Sequence, residues 1–399
     1  MSDLVPLKRT LLALLGGLPG RVQDWPGAAG WDALDAMAAQ HRLRPLLLSQ
    51  ARAAGNWPVP PEVLSRWEGA NRDAALSSLR HKAALGDLAR ILGDAGLEFL
   101  ALKGARLAWR DYPAPGLRPL RDLDLLVPEG DVERAFAVLE GAGLVMDGGD
   151  EAAHAEALEH DKHLPPLWHA RREVTVELHH RLTDPPARHG YHLPQIDPAA
   201  VIARAEPGEG GIRFPAPGDM LAHLIIHALY NHRLDCGPLV LADLHFLIRT
   251  GGIDWERFWQ GAAAQQWTRG AMLLLTLTER HFGPHGAPLP AGERAPPAEV
   301  VAAAEEALLQ DFDTRDHAEA VADIFAARSA GALFATLAGR FRPSRQARAQ
   351  EEAAGASASW LSWLGRRLGR LWGRLGNARA NREAAKAAAM LRWIQTRDN

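Results

Sequence analysis

The chain is 399 residues long, 47% hydrophobic and 23% charged, with a formal net charge of −3. That length provides for two or three domains and a sizeable core, and the balance is that of a soluble globule, since no stretch approaches the roughly 20 apolar residues a membrane span needs. A single cysteine, Cys236, excludes a disulfide framework and a multi-cysteine zinc site and fits a reducing cytoplasm, while the apolar run at 11–15 is too short for a secretory signal.

Residues 1–95 read as helical. Leu11, Leu12, Leu14 and Leu15, then Leu76, Leu79, Leu85, Leu88, Ile91 and Leu92, recur at helical spacing, and the Gly/Pro-rich stretch 55–61 breaks the region. The pattern changes at Gly96. The apolar run 97–102 suits a buried strand, Lys103-Gly104 opens a helix to about Tyr112, and a Pro/Gly loop covers 113–119. Residues 122–127 (DLDLLV) begin with the period-two alternation of a half-buried strand and end apolar. A helix over 131–140 turns Val132, Phe136 and Leu139 inward, and a short strand comes next at 144–146. Residues 163–168 and 174–179 read as a hairpin turning near 170–172. These elements predict an α+β fold. A small mixed-sheet core over 96–182 lies between an N-terminal helical region (1–95) and a C-terminal helical domain (183–340). That domain has helices over 220–230, 239–248, 255–265, 269–282 and 297–337. Residues 341–359 read as a linker, and 360–399 as a basic amphipathic helical tail.

From residue 340 to 399 there are 13 Lys and Arg against 4 Asp and Glu, so a basic tail succeeds an acidic body. In the stretch 360–375 (WLSWLGRRLGRLWGRL), Trp360, Leu364, Leu368, Leu371 and Leu375 recur at helical spacing among four arginines. Such a helix suits an anionic surface, which would place the protein at the inner membrane face, or a groove on a protein partner. Packing on the acidic body is the plain alternative, and Gly365, Gly369 and Gly373 favour it because they weaken an isolated helix. The acidic body argues against a nucleic-acid track.

Asp122 and Asp124 are two apart on a strand and so leave it on the same face. Adjacent buried carboxylates are costly, and a divalent cation removes that cost. Mg²⁺ in particular is held by one or two carboxylates together with phosphate oxygens. Glu177 lies inside the β-prone run 174–178, with His179 on its face. A third carboxylate on a neighbouring strand completes a two-metal site, in which one ion activates the attacking oxygen and the other steadies the leaving group. The reading is two Mg²⁺ ions, with Mn²⁺ as the alternative. Solvated strand ends and a salt-bridged glutamate are the competing explanations of these residues. Lys103-Gly104 stands at a strand-to-helix turn, where backbone N–H groups meet a phosphate and the lysine adds charge. Arg118 is read as a phosphate-binding arginine and Arg121 as a local partner of the Asp pair, both placed for a triphosphate. His179 orients the acceptor or assists its deprotonation. His223 and His227, four apart with Asp219 on their face, read with Asp243 and His245 as a helix interface or polar cleft wall rather than a metal site.

Leu102-Lys103-Gly104, Arg118 and residues 122–127 together resemble the nucleotidyltransferase fold of the DNA polymerase β superfamily. With the run 163–167 (HLPPL) and Glu177-Leu178-His179, they look like a poorly characterised bacterial nucleotidyltransferase family often found near peptide and polysaccharide biosynthesis genes. The resemblance covers about residues 97–181 well, and the His-rich helices to about 248 less specifically. It implies a nucleoside triphosphate substrate, with Asp122 and Asp124 on both metals. It also implies Glu177 on the catalytic metal near the acceptor hydroxyl, and Gly104 under the triphosphate. The superfamily commonly has Gly-Ser where this chain has Gly104-Ala105, so a phosphate-contacting hydroxyl is missing and Lys103 would supply the contact. The expectation is an enzyme moving an NMP group from an NTP to a hydroxyl or phosphate of a small molecule, peptide or protein. The alternative is a weak or inactive accessory protein of the same fold, binding nucleotide or peptide and recruiting a partner or membrane through its tail.

Overall fold

Four helices open the chain: α1 (Val5–Leu15), α2 (Ala28–Gln40), α3 (Arg44–Ala54) and α4 (Pro61–Asp94). The structure, a computed structural model, describes residues 5–147, 150–185, 192–290, 292–310 and 388–395. Pro45 and Pro61 stand in the first turns of α3 and α4, where a missing N–H costs nothing, and Gly55 ends α3 with φ 70°. Asp35 on α2 is 3% exposed and ties these helices together, accepting from Arg44, Arg66 and Trp67 at 2.6–2.9 Å.

Among the described residues the sheet has seven strands: β1 (Leu100–Ala101), β2 (Asp122–Leu126), β3 (Val145–Met146), β4 (Leu167–His169), β5 (Val174–His179), β6 (Glu206–Pro207) and β7 (Arg213–Phe214). Their spatial order is β3-β4-β5-β2-β1-β7-β6, with β2–β5 and β1–β7 parallel and the other neighbours antiparallel. The short α5 (Lys103–Arg106) comes after β1, α6 (Val132–Gly141) comes after β2, and α7 (Glu151–His160) and α8 (Pro198–Ala203) lie further along. Then come α9 (Pro217–Ile226), α10 (Leu239–Thr250), α11 (Trp255–Ala264), α12 (Thr268–Phe282) and α13 (Ala298–Leu308), and residues 388–394 are also helical. The fold is α+β with a mixed sheet. No helix of the described residues is long and apolar enough to cross a membrane.

Two cores form. Leu123, Leu125 and Val127 leave β2 on one face and meet Leu85, Leu88 and Leu92 of α4 and Phe136 and Leu139 of α6. The other core joins the two ends of the described chain: Leu11 and Leu14 of α1, Trp31 of α2 and Trp67 of α4 pack with Ile225 of α9, Leu244 of α10 and Leu274 of α12. The 34-residue α4 therefore serves both cores, helical bundle at its start and sheet at its end.

The hairpin expected near 170–172 is present, with Leu167 opposite Val176 and His169 opposite Val174. Leu76 and Leu79, expected on a packed face of α4, are 60% and 65% exposed. The buried stripe of α4 instead runs through Trp67, Ala74, Ser78 and His81 to Leu85, and leucine at helical spacing does not by itself choose that face. Strands β6 and β7 and helix α7 go beyond the sequence-based expectation. Two-residue strands carry no readable period, and α7 buries only Ala157. The basic helix expected at 360–375, the linker, and the helix expected over 297–337 beyond residue 310 lie outside the described residues.

Candidate active site

The parallel pairing of β2 with β5 sets Asp124 opposite Glu177 and Asp122 opposite Thr175. Since alternate residues share a face, Asp122 and Asp124 on one strand and Glu177 and His179 on the next all point to the same side of the sheet. His179 is fully buried, and its Nε2–H donates to Asp124 Oδ1 at 2.8 Å and lies 3.4 Å from Glu177 Oε2. His163, brought alongside by a bridge to His179, puts Nε2 3.7 Å from the same Glu177 oxygen. Lys103, at the first position of α5, has φ 36°, a left-handed value a lysine rarely adopts, and its ammonium lies 2.7 Å from Asp124 Oδ1.

Each charge is set by its neighbours. Burial would raise the Asp124 pKa, but Lys103 and the hydrogen bond from His179 outweigh it and hold the carboxylate well below its usual range. Glu177 is likewise lowered against its burial by the His179 hydrogen bond. The Asp122 side chain makes no hydrogen bond or ion pair among the described residues, and burial, then Asp124 and Glu177, raises it to about 6. Burial opposes the Lys103 charge, yet Asp124 and Glu177 raise its pKa. Asp122, Asp124 and Glu177 against Lys103 leave the floor net negative, while Arg42, Arg118, Arg121 and Lys162 bring positive charge to the walls of the same cavity. Oxygen atoms of Asp124 and Glu177 and a nitrogen of His179 lie within 4.8 Å of one another, so this trio could hold a metal ion once Nε2 gives up the proton it donates to Asp124. The oxygen-rich donor set suits a hard divalent cation.

These groups line a cavity of about 620 Å³. Lys103, Gly104, Arg118, Arg121, Asp122, Asp124 and Glu177 all reach it, whereas His179 lies beneath its carboxylate floor and is not on the wall. A side chain at Gly104 would meet Leu120 Cδ2 at 2.6 Å, so the loop bearing Arg118 closes over the missing Cβ. Ala105 is 1% exposed and belongs to the sheet core rather than the cavity. The two arginines differ in their pairing. Arg118 is locked in a two-pronged ion pair with Asp243 at 2.9 and 3.0 Å, and Tyr112 donates to that aspartate at 2.7 Å. Arg121 is exposed at the cavity and makes no ion pair among the described residues. The spacing around Asp122 suggested a local pair for Arg121, but the carboxylate that captures an arginine here comes from α10.

The opposite wall is built from α9 and the residues after it. Both α5 and α9 run on into π turns, at Leu107–Asp111 and His227–Asn231. His227, His232, Asp235 and Cys236 line the cavity, with His232 Nδ1 3.1 Å from Asp235 Oδ1. The rings of His223 and His227 stack at 5.8 Å, while Asp219 is taken by Arg204 at 2.8–2.9 Å. Of the expected set only His227 and Asp243 reach the cavity; His223 is buried behind the wall and His245 stacks on Phe282, and burial holds His223 and His227 well below their usual pKa. Sequence reasoning missed Arg42, which comes from the turn between α2 and α3; Lys162, which it offers as a salt-bridge partner of Glu177, also lines the cavity and lies 3.6 Å from Asp184. For Arg42 no composition or spacing signal exists, because its marker is a backbone angle.

A mixed sheet that presents paired carboxylates to a cleft, with a strand-to-helix turn beside them, is the frame of a nucleotidyltransferase. Residues 27–283, more than half of the chain, match the family described as uncharacterised nucleotidyltransferase, and the chain belongs to that family. It is therefore a transferase by class. No curated protein and no solved structure matches it.

Proposed function

We propose that the chain transfers an NMP group from a nucleoside triphosphate to a hydroxyl or phosphate of a small molecule, peptide or protein. The observation that carries this reading is the in-register pair Asp124–Glu177 on parallel strands, with Asp122 on the same face and His179 beneath both. Asp122, Asp124 and Glu177 would hold Mg²⁺, two ions in this reading, with Mn²⁺ as the substitute. When bound, the metal supplies Lewis-acid polarisation of the reacting phosphoryl group and charge neutralisation. The acceptor oxygen forms a bond to the α-phosphorus, the bond from that phosphorus to the bridging oxygen breaks, and pyrophosphate leaves with the electron pair. In this reading Glu177, whose side chain is 21% exposed against 5% for Asp124, would hold the metal beside a hydroxyl acceptor, whose proton leaves to solvent. His179 holds both carboxylates in place from below, and Lys103 balances their charge.

The test is titration of the full chain with ATP, GTP, CTP and UTP plus Mg²⁺, with pyrophosphate release measured in parallel. Metal-dependent binding of one nucleotide that Asp122→Asn/Asp124→Asn abolishes supports the reading. Binding that survives the double substitution removes the site assignment.

A further inference from the structure

Arg42 is the C-terminal residue of the turn that ends α2, where the backbone takes φ 59°. Its N–H reaches Ala39 O at 3.0 Å, and Leu43 N–H reaches back to Ala38 O at 2.8 Å. Glycine is the usual occupant of such a position, because an L side chain there is strained. The neighbouring His41 sets the turn against the far wall. A Cβ at Gly237, itself at φ 81°, would stand 2.5 Å from His41 Nδ1, so the missing side chain lets the turn dock. Arg42 thus enters the same cavity as Asp122 and Asp124, from a helical region outside the sheet.

Its surroundings are cationic. The Arg42 side chain makes one long hydrogen bond, 3.4 Å to Pro119 O, and no ion pair among the described residues. Burial and the charges of Arg118 and Arg121 lower its pKa to about 10, and Asp122 acts on it from the other side. Arg118 spends its guanidinium on Asp243, Lys103 lies against Asp124 and Lys162 against Asp184, so of the cationic side chains on the cavity Arg42 and Arg121 are the ones without a carboxylate among the described residues. Two guanidinium groups facing one cavity repel each other, and a multiply charged anion offsets both that repulsion and their partial burial. Phosphate oxygens fit the guanidinium fork in pairs.

We infer that Arg42 and Arg121 form a polyphosphate clamp, with Arg42 contributed by the N-terminal helices, that grips the terminal phosphates of the donor while its α-phosphate lies at the carboxylates. This rests on the nucleotidyltransferase reading and adds to it a residue from outside the sheet.

The experiment uses the full chain as wild type, Arg42→Gly, Arg42→Lys and Asp122→Asn/Asp124→Asn. Inorganic triphosphate and inorganic phosphate are titrated without metal, and NTP turnover is measured with Mg²⁺. Wild type should bind triphosphate, and Arg42→Gly should weaken it about 10- to 100-fold while weakening phosphate less. Arg42→Lys should regain only part, because an ammonium lacks the fork. Ligand-free Arg42→Gly should melt at the wild-type temperature or above, since glycine relieves the left-handed angle, whereas a structural arginine would lower it. Wild type that binds no triphosphate, or Arg42→Gly that binds it as tightly as wild type, overturns the clamp. An equal loss for phosphate and triphosphate overturns the polyphosphate assignment. Unchanged triphosphate binding with NTP turnover intact in Arg42→Gly sinks the clamp and leaves the transferase reading standing. Arg42-dependent triphosphate binding without turnover of any NTP by wild type does the reverse.

Discussion

Asp124 is 4% exposed and shares one oxygen between Lys103 and His179, whereas the Asp122 side chain, one strand period away, makes no hydrogen bond or ion pair among the described residues. The two should therefore respond oppositely to the same substitution. Asp122→Asn removes a carboxylate that burial, Asp124 and Glu177 all disfavour, and should raise stability by about 1–2 kcal/mol at neutral pH. Asp124→Asn strands the Lys103 ammonium, 14% exposed, without its closest counter-charge and should cost about 3 kcal/mol. Urea denaturation of both variants measures this, and equal destabilisation would refute the charge assignment. Metal-dependent nucleotide binding should disappear in either. The carboxylates were legible in the sequence because strand side chains alternate, so Asp-Leu-Asp and a lone Glu in a β-prone run declare their faces. The partners of Arg118 and the presence of Arg42 were not, because both depend on where distant helices dock.

Among the elements, short-range signals survived and long-range ones did not. The hairpin, the strand at Asp122 and the α6 stripe arise from local period and turn chemistry, and all three are present. Strands β6 and β7 join the sheet beside β1 through a parallel pairing of Leu100 with Arg213, a contact no local pattern announces. The junction of α1 with α12 is similarly silent. Gly16 lies so close to the backbone of α12 that an added Cβ would overlap His281 O. Backbone cannot move aside as a side-chain end can, so Gly16→Ala must push the two helices apart and should cost about 3 kcal/mol or more. The check is the thermal midpoint, with Gly20→Ala, which meets nothing within 4 Å, as the control. A wild-type midpoint for Gly16→Ala would mean that α1 does not pack there.

For the whole molecule, the expected order of three regions along the chain becomes two cores in space. One of them is built from both ends, with α4 running through both. A chain lacking residues 1–95 therefore loses part of each core, and it should fail to give a cooperative unfolding transition by circular dichroism. A sharp transition in that fragment would show that the sheet and C-terminal helices fold without α4. Buried His41 and half-buried His245 add an acid limit. Burial, then Lys8 and Arg42, lowers His41 to about 4, and burial, then Arg249 and His285, lowers His245 to about 4. Their folded values lie below the ordinary 6.5, so the unfolded chain takes up more protons in between. The stability they contribute is complete above about pH 6.5 and is lost as pH falls toward about 4, roughly 1–3 kcal/mol for each. A urea midpoint that is the same at pH 7.5 and about pH 5, as against the lower value expected at the acid end, would rule this out. The π turn at His227–Asn231 bears on how such an enzyme diversifies. A π turn holds one residue more than an α-helix needs, so deleting a single codon there would restore plain helix and rotate the downstream residues by about 100°. That rotation would carry His232, Asp235 and Cys236 off the wall facing the carboxylates while α9 and the sheet stay in place. Insertions and deletions at this turn, more than substitutions on the strands, would therefore reshape the wall opposite the carboxylates.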